Sequence, residues 1–128
     1  MTRINLVPVE DLCDQHLFAE HRELTRIPNC VVKGRYNIEG QPKEYTLGTG
    51  HVKFFYDKLG FLKKRYDLLD AECHRRGKPR QYIWPDEAEN LGKFFWLDYE
   101  PTQEALKINK ERIIERMPEH ARYSSKAN

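Results

Sequence analysis

The sequence predicts an all-α fold: a compact single domain, residues 1–128, of three main helices joined by long ordered loops. Two observations carry this expectation. Val52, Phe55, Leu59, Leu62, Tyr66, Leu69 and Cys73 recur at alternating steps of three and four, the period of one buried helix face. Pro8, Pro28, Gly77, Pro79, Pro101 and Pro118 fall at segment edges, where such residues start or stop helices.

The first helix is expected within residues 9–27, with Pro8 at its start and Pro28 as its stop. At about 100° per residue, Cys13, Leu17, Leu24 and Ile27 share one side of it. The second runs from Val52 to Arg76 and is closed by Gly77, with Pro79 just beyond. The third begins at Pro101 and ends before Pro118, with Ala105, Ile108, Ile113 and Met117 as core positions. Between the first two, "RYNI" and "KEYTL" around "EGQP" suggest a short hairpin. Residues 78–97, broken by Pro85 and Gly92, read as an ordered loop that packs its aromatic side chains under the helices.

Charged residues make up 33% of the chain and hydrophobic residues 39%, which describes a water-soluble protein with a heavily charged face. No apolar run approaches the roughly 20 residues of a membrane-spanning helix, and no signal-type stretch is present. Cys13, Cys30 and Cys73 are odd in number and lack paired spacing, so they are expected as reduced thiols of a cytoplasmic protein. The net charge is only +2, but Lys63, Lys64 and Arg65 cluster, as do Arg75, Arg76, Lys78 and Arg80. Local basic surface of this kind suits a polyanion, or equally a solvated helix face.

On the first helix Gln15, His16, Arg22, Glu23 and Arg26 fall on an arc of about 120°. Two arginines four apart repel by a few tenths of a kcal/mol, a cost that a bound anion offsets. Glu23 beside them either serves chemistry or neutralises them. His16 and His21 are five apart, about 140° around a helix, and cannot clamp one ion as a four-residue spacing does. "GTG" at 48–50 lacks the lysine and hydroxyl of a phosphate loop, so neither metal nor cofactor is expected. Glu20 lies in the apolar arc and is expected to pair with a basic group such as Arg3 or to stay partly exposed. The chain opens "MTRINL", and a residue as small as Thr2 permits removal of Met1. The exposed α-amine has a reference pKa of about 7.7–8.0 against about 10.4 for lysine, so roughly a third is neutral at pH 7.5.

These stretches together carry a resemblance. "MTRINL" followed by "DQHLFAEHREL" resembles the opening of the pyrimidine-dimer DNA glycosylases of the bacteriophage endonuclease V type. "LGTGHVKFFYDKLGFLKKR" and "AECHRRG" resemble that family's second helix, and "DYEP" with Arg112 and Arg116 resembles its third. Residues 30–46 and 78–97 match poorly. The resemblance implies a mostly helical domain whose N-terminal segment inserts between helices. It implies binding to damaged double-stranded DNA from the minor-groove side, with a kinked duplex and a flipped base. It further implies Thr2 as nucleophile through its α-amine and Glu23 as the catalytic carboxylate. Arg3, Arg22 and Arg26 are then the surrounding arginines, Gln15 and His16 line the site, and Arg112 and Arg116 meet DNA. The implied activity is a glycosylase with abasic-site lyase activity on cyclobutane pyrimidine dimers, acting as a monomer without cofactor, metal or membrane. The family's aromatic, lysine-rich tail is replaced here by "PEHARYSSKAN", with Tyr123 alone. That leaves open a preference for another damaged base or abasic sites, or a non-catalytic DNA-binding module, against which the presence of Thr2, Glu23, Arg22 and Arg26 argues.

Overall fold

Residues 2–78 and 82–124 are described by a computed structural model and are mostly helical, with no strand among them. Asp14–Leu24 forms α1, Arg26–Val32 α2, His51–Phe54 α3, Leu59–Arg75 α4 and Gln103–Glu115 α5. Short 3-10 turns occupy Val9–Asp11, Asp86–Asn90 and Lys93–Phe95. The hairpin expected around "EGQP" does not form; residues 35–47 are turns and irregular backbone.

Pro28 does not stop the first helical stretch. The break comes earlier, at Thr25, and Pro28 is the third residue of α2. Amides of a first helical turn have no intrahelical acceptor, so a proline there costs no hydrogen bond. The apolar stripe from Val52 to Cys73 is buried or partly buried throughout, yet it spans two helices rather than one. Residues 55–58 turn aside because their backbone serves another segment: the Leu97 amide donates to Asp57 O at 3.0 Å, and Lys58 bridges Trp96. Side chains satisfy the carbonyls so released. Gln41 Nε2 donates to Lys53 O (3.0 Å) and Phe54 O (3.2 Å), and Lys58 Nζ donates to Phe54 O (2.9 Å). Gly77, with φ of 85°, closes α4 as its sequence position predicts.

The core lies between α1 and α4, where Leu17, Leu24, Leu62 and Leu69 are fully excluded from solvent, and continues into an aromatic cluster of Tyr45, Phe54 and Phe55. Trp84 reaches this core from the 78–97 loop, but Ile83 and Phe94 of the same loop are exposed. Helix α5 starts at Thr102, whose hydroxyl accepts the Ala105 amide. Ala105 is buried, and Ile108 and Ile113 pack on the core, whereas Met117 lies beyond the helix end at 39% exposure and is not a core residue.

The N-terminal segment threads between α1, α4 and α5 on a chain of buried polar side chains. The amides of Leu6 (2.6 Å) and Val7 (3.2 Å) both donate to Asn109 Oδ1. Asn109 Nδ2 donates to Asn5 Oδ1 (2.8 Å), and Asn5 Nδ2 donates to Glu20 Oε1 (2.9 Å). Glu20 in turn takes Arg65 Nε (2.8 Å) and Nη2 (3.0 Å), while Arg65 Nη1 donates to Val7 O. Glu20 therefore pairs with Arg65, not Arg3, and Arg65 is interior rather than part of a basic surface. Arg76 is likewise buried, bonded to Asp14 (3.0 Å) and Glu72 (2.8 Å). Arg80 lies outside the described residues. Burying a carboxylate costs less when a guanidinium and further donors complete its shell, and Glu20, Asp14 and Glu72 each meet an arginine.

His51 holds the same segment from the other side. The Ile4 amide is only a donor, so His51 Nε2 accepts it (2.8 Å) and Nδ1 carries the proton to Thr46 O (2.8 Å). Tyr45 O–H donates to Ile4 O. Burial first, and the Arg3 charge after it, hold His51 below the usual histidine value, against the Thr46 carbonyl, which favours the charged ring.

Two expectations follow. A Cβ on Gly60 would lie 2.7 Å from Trp96 O and 3.0 Å from Leu97 O, both backbone atoms. Gly60→Ala should therefore lower the urea midpoint, by an overpacking cost of about 1–3 kcal/mol, although alanine is ordinarily the better helix former by about 1 kcal/mol. Raised stability would show that the 96–97 backbone yields. Because His51 resists protonation only when folded, the unfolded chain binds the extra proton. The stability this supplies is complete above about pH 6.5 and is lost below it, at no more than about 1.4 kcal/mol per pH unit. Denaturation measured from pH 7.5 to 5 should show this decline, and His51→Gln should flatten it.

Candidate nucleic-acid site

The N-terminal segment, α1 and α5 enclose a cleft of about 390 Å³, inside the roughly 300–1,000 Å³ of small-ligand sites. Arg3 and Asn5 line it from the segment, and Arg112, Ile113 and Arg116 from α5. His16, Ala19, Glu20 and Glu23 line it from α1, at the spacing that shares one helix face.

Glu23 is the pivot. Its Oε1 accepts the Arg3 amide at 3.1 Å and its Oε2 lies 3.7 Å from Arg22 Nη2. The second carboxylate of the cleft, Glu20, is fully engaged by Arg65 and Asn5. Burial holds the Arg3 guanidinium below its usual value, and Arg112 and then Arg116 add to this as like charges. Arginine does not give up its proton in a protein, so the crowding is relieved by an anion placed among the three. Arg112 Nε and His16 Nδ1 are buried without a hydrogen-bond partner among the described residues. His16 Nε2 donates to Arg116 O at 3.1 Å.

Arg22 and Arg26 open onto a second depression of about 550 Å³, with Thr25, Asn29, Cys30, Lys33, Arg35 and Tyr82. No acidic residue lines it, and among the described residues Arg26, Lys33 and Arg35 make no ion pair. The break at Thr25 turns Arg26 onto α2, so the arc seen in sequence is divided: Glu23 and His16 face one cleft, Arg26 the other. Gln15 faces neither. Its Nε2 donates to His120 O (2.8 Å) and its Oε1 accepts the Arg122 amide (3.1 Å). Asp14 completes this hold, donating its amide to Arg122 O (2.6 Å) and accepting the Ser124 amide and hydroxyl. Residues 116–124 are thereby strapped across the start of α1. Thr2 is half-buried, one peptide before the amide that Glu23 accepts. The basic runs near 63–65 contribute little free charge, since Lys63 pairs with Asp67 and Lys64 with Asp98.

Among the described residues no group of three or more histidine, cysteine, aspartate or glutamate side chains could hold a metal ion, and no helix is long and apolar enough to cross a membrane. His21 is buried against Asp70 (3.2 Å) and stacked on Tyr66.

Asn5 and Asn109 escaped sequence reasoning. One signal was available: Ala105, Asn109, Arg112 and Arg116 follow the four-then-three spacing of one helix face, which is neither wholly apolar nor wholly solvated.

The geometry agrees with an independent finding. A family model described as Pyrimidine dimer DNA glycosylase matches residues 1–86, more than half of the chain, and the chain belongs to that family. The match spans Thr2, Arg3, His16, Arg22, Glu23 and Arg26, while α5 lies outside it. DNA is accordingly the substrate class.

Each phosphate contact removed reduces the slope of log affinity against log salt by about one. Arg116→Gln should flatten that slope on undamaged duplex by about one, measured by fluorescence anisotropy. Lys64→Gln should leave it unchanged, because Lys64 is spent on Asp98 beside a different cleft lined by Leu6 and Pro8. Equal slopes for Arg116→Gln and the unsubstituted protein would mark Arg116 as solvated surface.

Proposed function

We propose that the chain excises pyrimidine dimers and cuts the strand, as a glycosylase and abasic-site lyase working through the α-amine of Thr2 once Met1 is removed. In this reading the amine attacks C1′ of the damaged nucleotide, and the glycosidic bond breaks with its electron pair leaving on the base. Ring opening gives an imine between Thr2 and the sugar. Loss of a C2′ proton to a base then expels the 3′ phosphate by β-elimination. Glu23 stabilises the cationic sugar and moves these protons. The arginines of the two depressions hold the flanking phosphates.

A single observation carries the reading: the one cleft carboxylate not consumed by the core, Glu23, accepts the Arg3 amide and so is fixed one residue from Thr2. Only a terminal amine is substantially neutral near pH 7 without heavy tuning. The like charges of Arg3, Arg112 and Arg116 favour the neutral form further. The reading carries with it a single domain acting as a monomer on damaged duplex, without metal or cofactor.

The experiment is borohydride capture on ultraviolet-irradiated, abasic and undamaged duplex. The protein beginning at Thr2 should form a covalent adduct on damaged DNA, and reductive methylation of its terminus or retention of Met1 should abolish strand cutting. Retention moves the amine outward by about 3.3–3.6 Å, beyond the roughly 3–3.5 Å of reacting atoms. Glu23→Gln should bind irradiated duplex within a few-fold of the parent yet fail to cut it. Cutting by Glu23→Gln at the parent rate removes the assigned role, and an adduct on Met1-retaining protein at the parent rate points to a lysine.

A further inference from the structure

Helix α5 supplies Arg112 and Arg116 to the cleft, and the N-terminal segment supplies Thr2 and Arg3. These two pieces of chain are about a hundred residues apart in sequence, and one side chain couples them directly. Asn109 is fully excluded from solvent; its Oδ1 accepts both the Leu6 and Val7 amides, and its Nδ2 donates to Asn5 Oδ1. We infer that Asn109 is a positioning residue for the reaction: it sets the register of the N-terminal segment against α5, and so the distance of the Thr2 nitrogen from Glu23 and from the anion held by Arg112 and Arg116. The inference rests on the terminal-amine reading above.

Three features support this role over simple packing. The segment around residues 3–7 forms no helix or strand, and so has no regular backbone partner to fix its register. Side chains must do so instead. An asparagine oxygen taking two successive amides pins the backbone in position along its length, which apolar contacts do not. Asn109 Nδ2 donates to Asn5, which lines the cleft and passes the constraint to Glu20 on α1. The coupling thus reaches all three elements that build the cleft. Asn109 itself does not line the cleft, so its effect on the reaction passes through the segment it holds. A slip of about an ångström in the segment can cost on the order of 100-fold in rate while barely altering groups that bind DNA elsewhere.

The test compares single-turnover cleavage with affinity for irradiated duplex, using protein that begins at Thr2. Asn109→Leu, which keeps the branched shape and loses the oxygen, should cut about 100-fold more slowly with affinity changed less than threefold. Asn109→Asp, which keeps an oxygen for the two amides, should recover part of the rate. Leu106→Ala, at a partly buried residue of α5, serves as the control for general loosening and should retain the parent rate at temperatures where it is folded. If Asn109→Leu does not fold, Asn109→Ser, whose hydroxyl is too short to reach both amides, is read by the same criterion. Parent-like cleavage by the Asn109 variants, or an equal rate loss in Leu106→Ala at matched stability, overturns the proposal. Borohydride capture by the unsubstituted protein keeps the two readings apart. No adduct there would refute the amine mechanism itself, whereas an adduct with unaltered variants would refute only the role of Asn109.

Discussion

Arg65, Glu20, Asn5 and Asn109 satisfy one another in a line through the interior, and the N-terminal segment lies along that line. Helix α4 supplies the cation, α1 the carboxylate and α5 the terminal amide, with the segment's own Asn5 as the middle link. Each member is buried, so the loss of any one leaves a polar group without its partner. Breaking a buried ion pair from one side commonly costs about 3–5 kcal/mol, and stranding a buried amide about 1–3 kcal/mol. A segment held this way is ordered without belonging to a helix or sheet. That is what brings Thr2 and Arg3 to a fixed place beside α1, and it makes the network a condition of the site as well as of the fold.

The same constraint divides the cations of the chain by function. Arg65 and Arg76 are each matched to interior carboxylates, and their charge is spent inside. Lys63 and Lys64 meet acids on the surface, where such pairs contribute little to stability. Arg3, Arg112 and Arg116 in one cleft, the last two only loosely paired with Glu115 at 3.7 and 3.9 Å, and Arg22, Arg26, Lys33 and Arg35 in the other are open to an anion. Glu23 stands at their junction, lining the first and touching Arg22 of the second. A phosphate backbone passing over both would find cations on either side of the carboxylate, an arrangement suited to holding a strand around a reacting sugar.

The family match ends at residue 86, yet the cleft is completed by α5, and the 116–124 strap beyond it crosses the start of α1. Asp14, Gln15 and His16 open α1 and all three hold backbone of that strap or of the α5 end. Two of the cleft's three arginines, Arg112 and Arg116, therefore lie on chain outside the match, and His16 of the matched part holds the Arg116 carbonyl. Gln15, which resemblance alone assigns to the substrate, is engaged in this hold.

Local pattern carried much of the architecture. Helical periodicity located the stripe from Val52 to Cys73, and Gly77 marks a real helix end, because local backbone energetics act over a few residues. That His16 and Glu23 line one cleft was legible too, since residues seven apart on a helix share a side. Pro28 was misjudged as a stop because a proline's effect depends on its place in the helical turn, which Thr25 shifted. The split between α3 and α4 was hidden because its cause, the 96–97 backbone docking on Asp57 and Lys58, comes from forty residues away. The partner of Glu20, the burial of Arg65 and Arg76, and the place of Asn109 were likewise undetermined by sequence. Side chains of one type are equally compatible with solvent, a core ion pair or an anion site; only long-range packing sets the dielectric and the partner each one meets.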